Sequence, residues 1–174
     1  MTERENAVRF KGKPLTLLGP EIKVGQVAPD FRLVGKDLAD IPSESFRGKV
    51  MVLSVAPSLD TPVCAMQTRT FNKEAVSLSR DVVILSVSLD LPFALARFCG
   101  AEGIDRVLTA SDYKYHSFGE AYGVSIRELG LLSRAVFVVD RGARVTHAEY
   151  VPEITSEPNY ASALKAVRAA LGNL

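Results

Sequence analysis

The chain has 174 residues, 47% of them apolar and 24% charged, enough for a sizeable core that needs no disulfide or metal to hold it. Its formal net charge is +1 and no block of like charge stands out, which removes the electrostatic argument for a nucleic-acid or anionic-membrane partner. No apolar run approaches the ~20 residues that span a bilayer.

The first residues, Met1 to Asn6, are charged and carry no apolar signal-like stretch, so a cytoplasmic location is expected. Val8-Arg9-Phe10 and Leu15-Thr16-Leu17-Leu18, either side of a Lys/Gly/Lys/Pro turn, predict an N-terminal β-hairpin. Residues 25–30 read as loop and Phe31 to Val34 as a strand. The apolar run Val50 to Ala56 predicts a buried strand, and a helix begins near Pro62. Phe71, Ala75 and Leu78 fall on the same side of that helix as Cys64, so the thiol is expected at the top of its inward face.

Val82 to Leu89 is continuous and β-branched, the pattern of a strand buried on both faces. Asp90 reads as a cap ahead of an early-turn proline, Pro92, for a short helix from Phe93 to Cys99 stopped by Gly100 and Gly103. A short strand follows at residues 107–109, then a short helix from His116 to Tyr122 closed by Gly123. Ala135 to Asp140 and Ala143 to Tyr150 flank Arg141-Gly142 and predict a second hairpin. After Pro158, Tyr160, Leu164, Val167 and Leu171 at helical spacing predict a final helix. This order predicts an α/β chain, one domain over residues 1–174, with a central mixed β-sheet flanked by helices.

Chemistry concentrates at Pro57-Ser58-Leu59-Asp60-Thr61-Pro62-Val63-Cys64. The octapeptide places a cysteine in the first turn of a helix, directly after a buried strand. Free N–H groups and the macrodipole favour negative charge there, and the thiolate is the nucleophilic form. The Thr61 hydroxyl is within reach of the helix-start N–H groups or of a ligand near the sulfur, and the N–H groups of Val63 and Cys64 make an anion or oxyanion site. A buried, inert cysteine is the competing reading. The chain has one other cysteine, Cys99, and a pair formed in a reducing cytosol would be transient and catalytic rather than structural. The 35-residue separation excludes a Cys-x-x-Cys loop, and the two histidines, His116 and His147, have no close ligand spacing to either cysteine, so no metal site is expected. Arg134, before an apolar strand, reads by itself as a surface arginine.

Pro57, Thr61 and Cys64 form Pro-x-x-x-Thr-x-x-Cys, which resembles the active-site signature of the peroxiredoxins. The strings from Ser58 to Cys64, Asp90 to Ala94, Arg97 to Gly103, Ala121 to Val124, Arg134 to Val136 and Glu153 to Pro158 are similar to the bacterial thiol peroxidase branch. The resemblance runs from about Val8 to the last helix. It implies a thioredoxin-like fold with an added N-terminal hairpin. It also implies a thiol-dependent peroxidase that reduces hydrogen peroxide and organic hydroperoxides without metal, haem or flavin. Cys64 would be the peroxidatic cysteine and Cys99 the resolving one, joined by a Cys64–Cys99 disulfide within the chain. Thr61 would hydrogen-bond peroxide and thiolate, Pro57 would shield the sulfur, and Arg134 would stabilise negative charge beside it. A homodimer recycled by thioredoxin is implied as well. With each cysteine on its own helix, disulfide formation is expected to require local unwinding at Cys64, Cys99 or both. Leu59, Phe93 and Leu131 are the expected apolar rim, which would favour alkyl hydroperoxides. A redox sensor that oxidises one partner protein is the alternative, and a thioredoxin-like disulfide exchanger is weakened by the missing Cys-x-x-Cys.

Overall fold

The computed structural model describes residues 1–172 of the chain. The N-terminal hairpin is present and longer than its apolar core, with β1 at Glu3–Phe10 and β2 at Lys13–Leu18. Strand β3 (Arg32–Gly35) pairs with β4 (Asp40–Pro42), and a 3-10 turn at Ser43–Phe46 leads to β5 (Val50–Val55). From β5 the chain alternates: α1 (Pro62–Ala75), β6 (Val82–Ser88), α2 (Pro92–Glu102), β7 (Leu108–Ser111) and α3 (Ser117–Ala121). Two-residue strands β8 (Ser125–Ile126) and β9 (Leu131–Leu132) precede the hairpin β10 (Ala135–Val139) and β11 (Val145–Tyr150), and α4 (Tyr160–Ala170) closes the order.

Seven of these strands form the main sheet, in the order β11-β10-β5-β6-β7-β3-β4. The central β5–β6 and β6–β7 pairs are parallel and the outer pairs antiparallel, so the sheet is mixed. Its two faces follow from the period-two alternation of strand side chains. Val50, Val52, Ile84, Val136 and Val138 point to the face covered by α1, α2 and α4, where they meet Phe71, Leu95 and Val167. Met51, Leu53, Val55, Leu85, Val87 and Phe137 point the other way. They meet Phe31, Phe118 and Tyr122, with the last two rings stacked at 4.4 Å. This is why β5 and β6 read as unbroken apolar runs: both of their faces are covered.

The hairpin belongs to a second sheet, β1-β2-β8-β9, built over Val8, Leu15, Leu17, Ile126 and Ile154. Strands β8 and β9 are two residues each, too short to leave a periodic signal.

Three local expectations are corrected. Helix α1 ends at Ala75, so Leu78 lies in the following turn, although it still packs against the same cluster. Helix α2 continues through Gly100 to Glu102; only Gly103 ends it, in the left-handed region at φ 64°, with its N–H donating to the Cys99 carbonyl. Asp90 is not the cap of α2. Leu91 occupies that position and makes no side-chain cap bond, while the Asp90 carboxylate turns toward the loop before Cys64. No helix among the described residues is long and apolar enough to cross a membrane.

Candidate active site

At the carboxyl end of β5 the chain leaves the sheet through Ala56 and Pro57 and re-enters regular structure at Thr61, whose extended backbone (φ −110°, ψ 149°) makes it the N-cap of α1. Pro62 takes the first helical position, where its fixed φ suits the helix and its missing N–H costs nothing. Cys64 therefore sits in the first turn, fully buried. The Ala65 N–H bonds to the Thr61 carbonyl at 3.0 Å. Among the described residues no protein group accepts from the N–H of Val63 or Cys64. These two amides carry the positive end of the helix dipole.

The Thr61 hydroxyl does not reach the helix-start amides. It donates to the Ser58 carbonyl at 2.8 Å, which folds the loop into a turn and leaves the oxygen lone pairs of this exposed residue able to accept.

Arg134 is far from a surface arginine: 2% of it is exposed, and all three of its nitrogen positions are used. Nε donates to the Ile154 carbonyl at 2.9 Å, Nη1 to Gln67 Oε1 at 2.8 Å and Nη2 to Cys64 Sγ at 3.2 Å. Gln67 is held in turn, its Nε2 donating to Ser54 Oγ at 2.7 Å. A buried polar layer thus lies where β5 and β6 end, on the face whose earlier positions are valine and isoleucine. It continues through Thr68, which donates to the Cys64 carbonyl at 3.2 Å. Gln67 is the site residue that sequence reasoning missed. Its signal was its place one turn after Cys64 on the same buried helix face.

Cys99 lies near the end of α2 and is also buried, its sulfur 3.3 Å from Thr109 Oγ1 on β7. Both cysteines are free thiols, each on its own helix, and each sulfur has a different partner from outside that helix, Arg134 for Cys64 and Thr109 for Cys99. A groove of about 380 Å³ runs between α1 and α2, bordered by Leu59, Thr61, Pro62, Ala65, Phe98 and Ala101. Two ion pairs cross it, Asp60–Arg97 at 3.0 Å and Arg69–Glu102 at 3.1 Å. Of the residues expected as an apolar rim to the site, Leu59 borders this groove and is buried, while Phe93 (70% exposed) and Leu131 lie outside its lining.

A thiol against a guanidinium, in a helix turn with two free amides, suits a reaction in which negative charge passes from sulfur to a departing oxygen. The guanidinium, held by Ile154 and Gln67, is fixed before the reaction begins and does not have to reorganise as the charge moves.

The redoxin family model matches residues 23–164. The thiol peroxidase of Bacillus subtilis (strain 168) is 52% identical over 162 residues, 93% of this chain and 96% of that protein. The thiol peroxidase of Halalkalibacterium halodurans is 50% identical over 165 residues, 95% of this chain and 99% of that protein. Among solved structures, a peroxiredoxin-like protein from Aquifex aeolicus superposes with a TM-score of 0.89 at 42% identity, covering 95% of this chain and 97% of its own.

Proposed function

The chain belongs to the redoxin family and is a thiol-dependent peroxidase of the peroxiredoxin type with a thioredoxin-like fold, and we propose that it works through Cys64 and Cys99. Cys64 is the peroxidatic residue. Its thiolate attacks one oxygen of a hydroperoxide; an S–O bond forms, the O–O bond breaks, and the departing oxygen takes a proton and leaves as water or an alcohol. Sulfur is oxidised to the sulfenic acid as the peroxide is reduced. The Arg134 guanidinium and the N–H groups of Val63 and Cys64 stabilise the charge in transit. Thr61 orients the peroxide, and Pro57 shields the sulfur from water. The observation that carries this reading is the 3.2 Å contact between Arg134 Nη2 and Cys64 Sγ deep in the core.

Cys99 is the resolving residue. Its sulfur attacks the sulfenic sulfur, the S–S bond forms, and the hydroxyl leaves as water with the Cys99 proton. Both thiols are buried in separate helices, which supports local unwinding of the first turn of α1, of α2, or of both as part of this step. Thioredoxin returns the disulfide to two thiols. The protein works as one domain, in a homodimer, in the cytoplasm. Neither the site nor the relatives favour a sensor that oxidises a single client.

Peroxide consumption with thioredoxin and its reductase tests the reading. Wild type turns over, Cys64→Ser abolishes consumption, and Cys99→Ser loses thioredoxin-linked recycling. A wild type that consumes no peroxide would sink it.

A further inference from the structure

The loop before α1 is tied to the segment carrying Cys99 at three consecutive residues. Ser58 Oγ donates to Asp90 Oδ1 at 2.7 Å, and the Leu59 N–H donates to Asp90 Oδ2 at 2.8 Å. The Leu59 side chain is buried in the cluster that contains Phe98 and Cys99. Asp60 pairs with Arg97 on α2. Asp90 is itself fixed to the end of β6 by Ser88 Oγ, which donates to Oδ2 at 3.0 Å.

These ties are unequal. Asp60 and Arg97 are 63% and 68% exposed, and water and salt screen such a pair. Asp90 is half-buried and accepts from two hydroxyls and a backbone amide, bonds strengthened by its charge. One carboxylate therefore joins the two segments that carry the thiols.

We propose that Asp90 is a positioning residue that sets the two chemical steps against each other. It holds the Cys64 loop shut for peroxide reduction and thereby slows closure of the Cys64–Cys99 disulfide. The proposal rests on the two-cysteine cycle above. Peroxide reduction needs the loop of Pro57 and Thr61 in place around the sulfur. Closure needs the opposite, because Cys64 is packed against Arg134 and Cys99 against Thr109. A bond that stabilises the shut loop raises the first rate and lowers the second. It also prolongs the sulfenic acid, which a second peroxide molecule oxidises to the sulfinic acid with release of water or alcohol.

Quenched-flow mass spectrometry on the full chain separates the species: thiol, sulfenic acid, disulfide and sulfinic acid. The set is wild type, Asp90→Asn, Asp90→Ala and Ser58→Ala, each mixed with hydrogen peroxide. Loss of charge-assisted bonds in Asp90→Ala should speed closure roughly tenfold, slow sulfenic-acid formation by a similar factor, and lower the sulfinic yield. Asp90→Asn, which keeps the shape and one acceptor, should fall between it and wild type. Ser58→Ala should shift both rates the same way by a smaller factor. A role in stability alone would lower both rates together, and that result, unchanged rates, or slower closure overturns the proposal. If Asp90→Ala fails to fold, Asp90→Asn and Ser58→Ala decide. A wild type that forms no Cys64–Cys99 disulfide refutes the two-cysteine cycle itself, a different result from any of these.

Discussion

Arg134 Nη2 lies 3.2 Å from Cys64 Sγ although the two residues are 70 positions apart in the chain. Strand β10 makes the meeting possible by pairing antiparallel with β5, so that Ala135 stands opposite Val55. The arginine before β10 and the loop after β5 then leave the sheet at the same end. The guanidinium is held by Ile154 and Gln67 before any substrate arrives, so its position does not depend on the sulfur it faces.

Replacing Arg134 with glutamine should lower the second-order rate with hydroperoxide by about 10²–10³-fold, the scale of losing one fixed donor to developing charge. Arg134→Lys should recover little of it, because an ammonium cannot reach Ile154, Gln67 and Cys64 in the same fork. Stopped-flow mixing with excess peroxide measures both.

Gln67→Leu should act on the same rate through Arg134. It removes the acceptor for Nη1 and the donor to Ser54 in a fully buried position, at a cost of about 1–3 kcal/mol in urea unfolding. The rate should fall by about tenfold, less than for Arg134→Gln, since Nε still holds the Ile154 carbonyl.

Gly100 tests whether α2 must unwind for the disulfide to close. It is an exposed helical residue, and a Cβ built on it meets nothing. Gly100→Ala should therefore stabilise α2 by about 0.5–1 kcal/mol. Peroxide reduction should be unchanged and closure slowed by a few-fold. Closure at the wild-type rate, with the stability gain confirmed by urea melts, would place the unwinding in α1.

His147 should give stability a pH dependence below neutrality. Burial holds its pKa below the ordinary 6.5, an effect that nearby Glu149 opposes, and its Nε2 has no protein partner among the described residues. The depressed folded pKa means that the unfolded chain binds the proton first. The contribution is intact above pH 6.5 and is lost as pH falls from there through the folded value. His147→Leu should remove this part of the slope. Urea midpoints at pH 8 and at successive steps below 6.5, compared between the two proteins, check it.

Much of the site was legible because it is local. Pro57, Thr61 and Cys64 lie within one strand-to-helix connection, and the rules for helix starts act over a few residues: a proline at N1, free amides in the first turn, an inward face repeating with the helix. The buried central strands announced themselves by composition. Where local rules met tertiary competition they failed. Gly100 lies inside α2 because the helix is held by burial of Leu95, Phe98 and Cys99, which outweighs one exposed glycine. Asp90 gave up the cap of α2 because its carboxylate is taken by the Ser58 hydroxyl and the Leu59 amide, which spacing alone does not bring to it, beside the local hydroxyl of Ser88.

The sequence by itself determined the strand-to-helix connection that puts Cys64 in the first turn of α1 and the local geometry that leaves two amides free there. Its apolar periodicities also determined that α1 and α2 follow neighbouring buried strands. Only the tertiary structure decided that Arg134 is buried against the sulfur, that Gln67 fixes it, and that Asp90 joins the loop before Cys64 to the segment leading to Cys99. The physical reason is range. Helix starts and strand faces are set by torsions and burial over a few residues, whereas a guanidinium reaches a thiol 70 positions away only after sheet pairing has brought their strands together.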